Sequence, residues 1–175
     1  MENQIERIKV KLLQKMQNHL KRGWIDKINL EPLSIEKITA FENEYNIKLP
    51  KEIVDFYTKI SNGVVLYPRE DICNLEPFEN WYFSPDLIKE KFNAENDVTY
   101  DDYYAIKKQN GDYSFENFGN ISLMDLGCCM SYCIVVNGKH YGEMIAVLEM
   151  YLEITNKSFL DWFEDCLDGT AEYML

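Results

Sequence analysis

The stretch Leu49-Pro50-Lys51-Glu52-Ile53-Val54-Asp55-Phe56-Tyr57-Thr58-Lys59-Ile60-Ser61-Asn62-Gly63 constrains this chain more than any other. Proline suits a first helical position, because its missing N–H costs nothing there and its φ is already helical. Ile53, Phe56, Tyr57 and Ile60 then recur at i, i+3, i+4 and i+7, which makes one apolar stripe on a helix. Asn62-Gly63 stops that helix, since glycine tolerates the left-handed conformation beyond a helix C-terminus. Val64-Val65-Leu66-Tyr67 follows at once with strand-forming residues. A helix that hands directly to a sheet obliges the rest of the chain to cover one or the other.

Helical spacing also marks residues 3–21, through Ile5, Ile8, Leu12, Leu13, Met16 and Leu20, with Gly23 as the stop. This helix opens an N-terminal helical extension, residues 1–33. Its bases make a membrane-surface helix conceivable, but the apolar stripe lacks the bulky aromatics of an interfacial helix. His19, on this basic helix, is expected in solvent. Ser34 is an N-cap for a helix from Ile35 to Asn46, with Ile35, Ile38, Phe41 and Tyr45 on its buried face. Residues 71–75 and 81–83 read as short strands. Ser84-Pro85-Asp86 starts a helix by N-cap, N1 proline and early acid, running to about Phe92 or Asn93.

Residues 93–118 interleave acids with Tyr100, Tyr103, Tyr104, Tyr113, Phe115 and Phe118, and read as an irregular excursion or a long hairpin through Asn110-Gly111. Ile121 to Met124, Met130 to Val136 and Tyr141 to Leu148 are strands. Asn137-Gly138 between the last two is a strong hairpin signal. Ser158 caps a final helix carrying Phe159, Trp162, Phe163 and Cys166, closed by Gly169. Core positions are then Leu49, Ile53, Phe56, Tyr57, Ile60, Val135, Ile145, Phe159 and Trp162. The length of 175 residues fits one domain, 1–175, with no internal boundary.

These motifs in this order resemble the SUKH superfamily of Smi/Knr-type proteins. The resemblance is carried by helix, Leu49-Pro50, helix, Asn62-Gly63, strand, then a glycine-containing strand pair around Gly127 to Gly142, then the Ser158-Phe159 helix. It spans about Ser34 to Leu167. Family members often carry a Gly-x-Gly-Asp-like run before the central hairpin. Here Gly127 is followed by Cys128-Cys129-Met130-Ser131. The resemblance implies an α+β fold, with helices packed on one curved, mainly antiparallel sheet and a C-terminal helix. It also implies a non-enzymatic immunity protein that binds and neutralises a cognate toxin, as bacterial members do. The alternative it implies is an intracellular regulatory or scaffold protein, such as a regulator of cell-wall synthesis.

The residues themselves offer no catalytic site. There is no phosphate-binding Gly-x-x-x-x-Gly-Lys, no Gly-x-Ser-x-Gly elbow and no His-Glu-x-x-His. His19 and His140 are the two histidines, and His140 sits in a hairpin loop. In an extended segment Cys129 and Cys133 share a face but stand about 13 Å apart, too far for one zinc ion with sulfur bonds of about 2.3 Å. Five cysteines, irregularly spaced, read as free buried thiols of a cytoplasmic protein, Cys73, Cys128, Cys129, Cys133 and Cys166. The expectation is no metal and no cofactor. A small hydrolase with an unrecognised site is the weakest alternative.

Charge points toward a partner. The formal net charge is −12, which disfavours nucleic acid. Residues 1–60 hold 11 Lys/Arg against 9 Asp/Glu, a net of +2, and residues 61–175 hold 7 against 21, a net of −14. A basic protein partner, such as a nuclease-type toxin, is the natural complement. Acids interleaved with aromatics suit such an interface, charge for steering and rings for anchoring. That pattern selects Asp97, Asp101, Asp102, Tyr103 and Tyr104, with Glu76, Trp81 and Tyr82 as neighbours. In an extended pair such as Trp81-Tyr82 one ring faces in and the next faces out. Residues 1–22 contain no continuous apolar segment of a signal peptide, and no run approaches a membrane span.

Overall fold

The computed structural model describes residues 2–66, 74–94, 97–98, 118–127, 130–148 and 151–171. Three helices lead the chain: α1 (Glu2–Lys21), α2 (Ile35–Tyr45) and α3 (Lys51–Lys59). Four strands follow, β1 (Asn120–Gly127), β2 (Met130–Val135), β3 (Glu143–Leu148) and β4 (Tyr151–Ser158), and then α4 (Phe159–Asp168). The strands form one antiparallel sheet in the order β1-β2-β3-β4. The architecture is α+β with a C-terminal helix, as the sequence implies.

The organising stripe is buried throughout: Ile53, Phe56 and Tyr57 are at 0% exposure and Ile60 at 1%. Pro50 takes the N-cap rather than the first helical position, with φ −54° and ψ 136°. Gly63 is required twice over, by its φ of 85° and because a Cβ there would stand 2.7–2.9 Å from the Leu75 and Pro77 backbone. Of the expected strand 64–67, residues 64–66 are described and form no continuous strand, and Tyr67 lies outside the described residues. Val64 pairs with Leu75 as an isolated antiparallel bridge.

The alternation of the strands gives the sheet two different faces. One carries Ile121, Tyr132, Ile134, Met144 and Ala146 against the helices. Phe56 packs there edge-on against Phe159 and Phe163, with ring centroids 5.4 and 5.0 Å away. The other face carries Cys133, Val135, Ile145, Val147, Leu152 and Ile154 beneath Phe92, Ala94 and Val98. The sheet therefore separates two apolar clusters, and Val135 and Ile145 are buried in the second, away from Phe56.

Several sequence expectations change. Residues 85–89 form turns, not a helix reaching Phe92. Phe92 instead bridges Gly138 in parallel, its N–H donating to the Asn137 carbonyl and its carbonyl accepting from Lys139. Burying Phe92 on the second face wins over the local helix-start signals. That crossing also explains the Asn-Gly pair. A Cβ on Gly138 would lie 2.4 and 2.6 Å from Phe92 backbone atoms, so the 136–142 connection is a wider loop built around a backbone contact. Ile35, expected in the core, is 49% exposed, while Ile38 and Phe41 are buried. His19 is buried at 3%, not solvated. The chain folds back after it, and the Trp24 ring stands edge-on to the imidazole at 5.0 Å. β4 is an element the sequence reading lacked.

α1 lies along α4. Its stripe of Ile5, Ile8, Leu12 and Met16 is buried. Arg7 forks onto Glu164 at 2.5 and 2.6 Å, Lys11 reaches Glu164 and Asp168 at 2.8 and 2.6 Å, and Gln4 donates to Asp161 at 2.8 Å. These contacts hold the Glu164 carboxyl down to about 2, chiefly through Arg7. Ser158 caps α4, its Oγ accepting from Asp161 N at 3.4 Å, and Gly169 ends it in a left-handed conformation.

Candidate functional site

The organising helix reaches the surface through one buried phenol. Tyr57 Oη donates to the Glu76 carbonyl at 2.7 Å and accepts from Trp81 Nε1 at 3.0 Å. Burial pushes the Tyr57 phenol well above its ordinary range, so it stays neutral and a donor. Between those two partners the chain makes a 3-10 turn, Phe78–Asn80. Asn62 pins the turn from the end of α3, its Oδ1 accepting from Phe78 N and its Nδ2 donating to Glu79, both at 2.9 Å. Glu79 also accepts from Lys37 at 3.0 Å, and its carboxyl is held down to about 2, first by Asn62 and then by Lys37.

Residues 76–82 are fastened to the outer edge of β1 as well. Glu76 N donates to the Leu123 carbonyl and Ser122 N donates to the Tyr82 carbonyl, each at 2.8 Å. The bulge between Ser122 and Met124 falls at this point, where a strand commonly re-aims its side chains. Trp81 turns inward, at 7% exposure, and packs on Tyr57, Phe78 and Phe41. Tyr82 turns outward and is 71% exposed. The in-out alternation read from the pair is what the structure has, and it removes Trp81 from the available surface.

Beside Tyr82 opens a groove of about 490 Å3, walled by Glu76, Asn80, Tyr82, Ser122, Asp125 and Ser131, with Met130 and buried Val147 contributing apolar surface. Asp125 spends one oxygen on Gly127 N at 2.7 Å. Glu76 accepts from Asn80 Nδ2 at 3.3 Å. Among the described residues no lysine or arginine is within ion-pair distance of either carboxylate. Some other acids are matched: Glu42 meets Lys48, Asp55 meets Lys51 and Lys59, and Asp165 meets Lys157.

Of the residues singled out by sequence, Glu76 and Tyr82 are brought together and Trp81 supports them from inside. Asp97 stands apart, at the opposite edge of the sheet. Its carboxylate accepts from Ile154 N at 2.8 Å and from Tyr151 Oη at 3.5 Å, and Val98 beside it exchanges two hydrogen bonds with Leu152. That is a role in fastening the edge. Asp101, Asp102, Tyr103 and Tyr104 lie outside the described residues, as do Cys73, Cys128 and Cys129. Asp125, Asn80, Ser122 and Ser131 were missed. The signal available for two of them was alternation: Ser122 and Ser131 interrupt apolar strands on the face that Cys133 and Val147 share.

A larger hollow, about 730 Å3, lies between the 22–34 connection and residues 61–65. Its charges are mixed, Asp26 and Glu31 with Lys27 and Lys37, so it has no consistent electrostatic character. His140 Nδ1 donates to the Glu143 carboxylate at 2.8 Å, three residues on. Cys133 and Cys166 are buried. Among the described residues no group of three or more His, Cys, Asp or Glu is placed to hold a metal, and no helix is long and apolar enough to cross a membrane.

No curated protein and no solved structure matches the chain. A family model does, over residues 32–165, a span that takes in α2, α3, the whole sheet and the groove, and leaves α1 outside. With most of its length so matched, the chain belongs to the SMI1 / KNR4 family (SUKH-1).

Proposed function

We propose that this protein is a non-enzymatic immunity protein that binds and neutralises a cognate bacterial toxin, and that the groove beside Tyr82 is part of its binding surface. The observation that carries the reading is the exposed Tyr82 ring set beside two carboxylates, Glu76 and Asp125, with no described cation to neutralise them. A rigid aromatic anchor with unmatched charge is what a protein interface uses for affinity and steering. The net charge of −12 adds long-range attraction for a basic partner, such as a nuclease-type toxin. Steering of this kind raises association rates roughly 10–10³-fold at low salt.

The test is co-expression with the product of the neighbouring gene, followed by pull-down and a growth-rescue assay. Rescue by the intact chain, weakened by Tyr82→Ala with Asp125→Asn, supports the proposal. A stable complex with a host protein and no rescue from any toxin turns the reading toward the regulatory or scaffold role.

A further inference from the structure

We infer that the groove receives an arginine side chain of the protein partner, a deepening that rests on the groove being a partner-binding surface. Three features of the walls favour a guanidinium over other groups. The Tyr82 ring is presented to solvent from a backbone fixed to Ser122, so an aromatic face is available for stacking. Glu76 and Asp125 each retain oxygens unused by their backbone and Asn80 contacts, and these are acceptors for a forked donor. Met130 and Val147 give an apolar lining on which the methylene stem of a long cation can lie.

Lysine satisfies the charge but not the rest. Its ammonium is a compact, strongly hydrated point charge, whereas guanidinium is planar, weakly hydrated and matched to carboxylates in pairs. A divalent metal is a poor occupant, because no described group of three or more ligating residues gathers here. An anionic ligand is repelled by both carboxylates. The occupant is thus a cationic, planar, long-stemmed side chain, and in a protein that is arginine.

The probes are two blocked peptides, acetyl-Gly-Arg-Gly-amide and acetyl-Gly-Lys-Gly-amide, titrated into the full chain while amide and Tyr ring resonances are followed by NMR. The expected result is saturable shifts at Tyr82, Ser122 and Ser131 with the arginine peptide, and binding at least several-fold weaker for the lysine peptide. Glu76→Gln with Asp125→Asn should weaken the arginine peptide about tenfold or more, and Tyr82→Leu should weaken it while Tyr82→Phe does not. An unchanged amide spectrum away from the groove shows that the variants are folded. Equal response to both peptides, no saturable shift at these residues, or an unaffected double variant overturns the inference. Failure here is separable from failure of the immunity reading. Arginine binding without toxin rescue sustains the groove chemistry alone. Full rescue by a Tyr82→Leu, Glu76→Gln, Asp125→Asn triple variant removes the arginine site and leaves the immunity reading standing.

Discussion

The seam between α1 and α4 and the groove beside β1 are both rich in acid, yet they treat it in opposite ways. In the seam Glu164 and Asp168 are matched by Arg7 and Lys11, residues 157 positions away in sequence. In the groove the described partners of Glu76 and Asp125 are an amide side chain and a backbone N–H. One set of carboxylates is consumed in holding a helix outside the family-matched span onto the domain. The other is left with unused acceptors beside an exposed ring. A net charge of −12 is therefore not a uniform coat, and its sum alone does not say where a partner would be felt.

The comparison can be broken at four depths. The deepest is the core that α3 and α4 share. Phe56→Ala should cost about 3–5 kcal/mol, as removal of a fully buried ring usually does. Urea denaturation measures it, and a loss under ~1 kcal/mol would mean that this face of α3 does not carry the core.

Next is the joint between helix and groove. Tyr57→Phe strips Trp81 Nε1–H and the Glu76 carbonyl of a buried partner, at a cost of ~1–3 kcal/mol. Partner binding should weaken with it, through the loosened Glu76 wall, although Tyr57 itself faces inward. A variant destabilised to this extent that binds with unchanged affinity would uncouple the groove from α3.

The seam comes third. Glu164→Gln should cost about 1 kcal/mol near neutral pH, the scale of a partly exposed ion-pair network. Because folding lowers the Glu164 pKa to about 2, its contribution is fully present above the ordinary glutamate pKa of ~4.3 and fades as pH falls toward 2. Acid titration of stability should thus show the variant and the parent converging below that window. A gap that persists at pH 2 would assign the effect to packing instead.

The groove should be nearly silent. Glu76→Gln with Asp125→Asn should alter stability by no more than ~0.5 kcal/mol, since neither carboxylate is in an ion pair with a described residue. Its effect should appear instead in association with the captured partner, as a slower on-rate and a flatter dependence on salt. A strongly destabilised double variant would make these acids structural and erase the contrast with the seam.

Most of the framework was legible because its signals are local. The stripe Ile53, Phe56, Tyr57 and Ile60, the Ser158 cap and the Gly169 stop depend on neighbours within a turn or two. The errors fall where distant contacts overrule local preference. Ser84-Pro85-Asp86 has every mark of a helix start, but Phe92 is needed under the far face of the sheet and its backbone runs against Gly138. His19 sits among bases, yet the fold-back at Gly23 lays Trp24 over it. β4 was readable in principle, since Leu152 and Ile154 alternate with Glu153 and Thr155, but its polar residues weaken the pattern. The candidate site was half legible. Tyr82 followed from alternation, whereas Asp125 joins Glu76 only through the pairing of residues 76–82 with β1, which no periodicity encodes.

That pairing has a counterpart across the sheet. Tyr82 bridges Ser122 on β1, and Val98 bridges Leu152 on β4. Each outermost strand thus has part of its free row of amides and carbonyls already taken by a short piece of the same chain. A sheet so bordered is a poor template for another strand, whether from a partner or from a second molecule unfolding nearby. Growth by strand addition, the common route to fibres and to peptide capture by sheets, is hindered at those bridged positions. A partner of such a sheet would be met by side chains, which sequence can tune one residue at a time without disturbing the ladder.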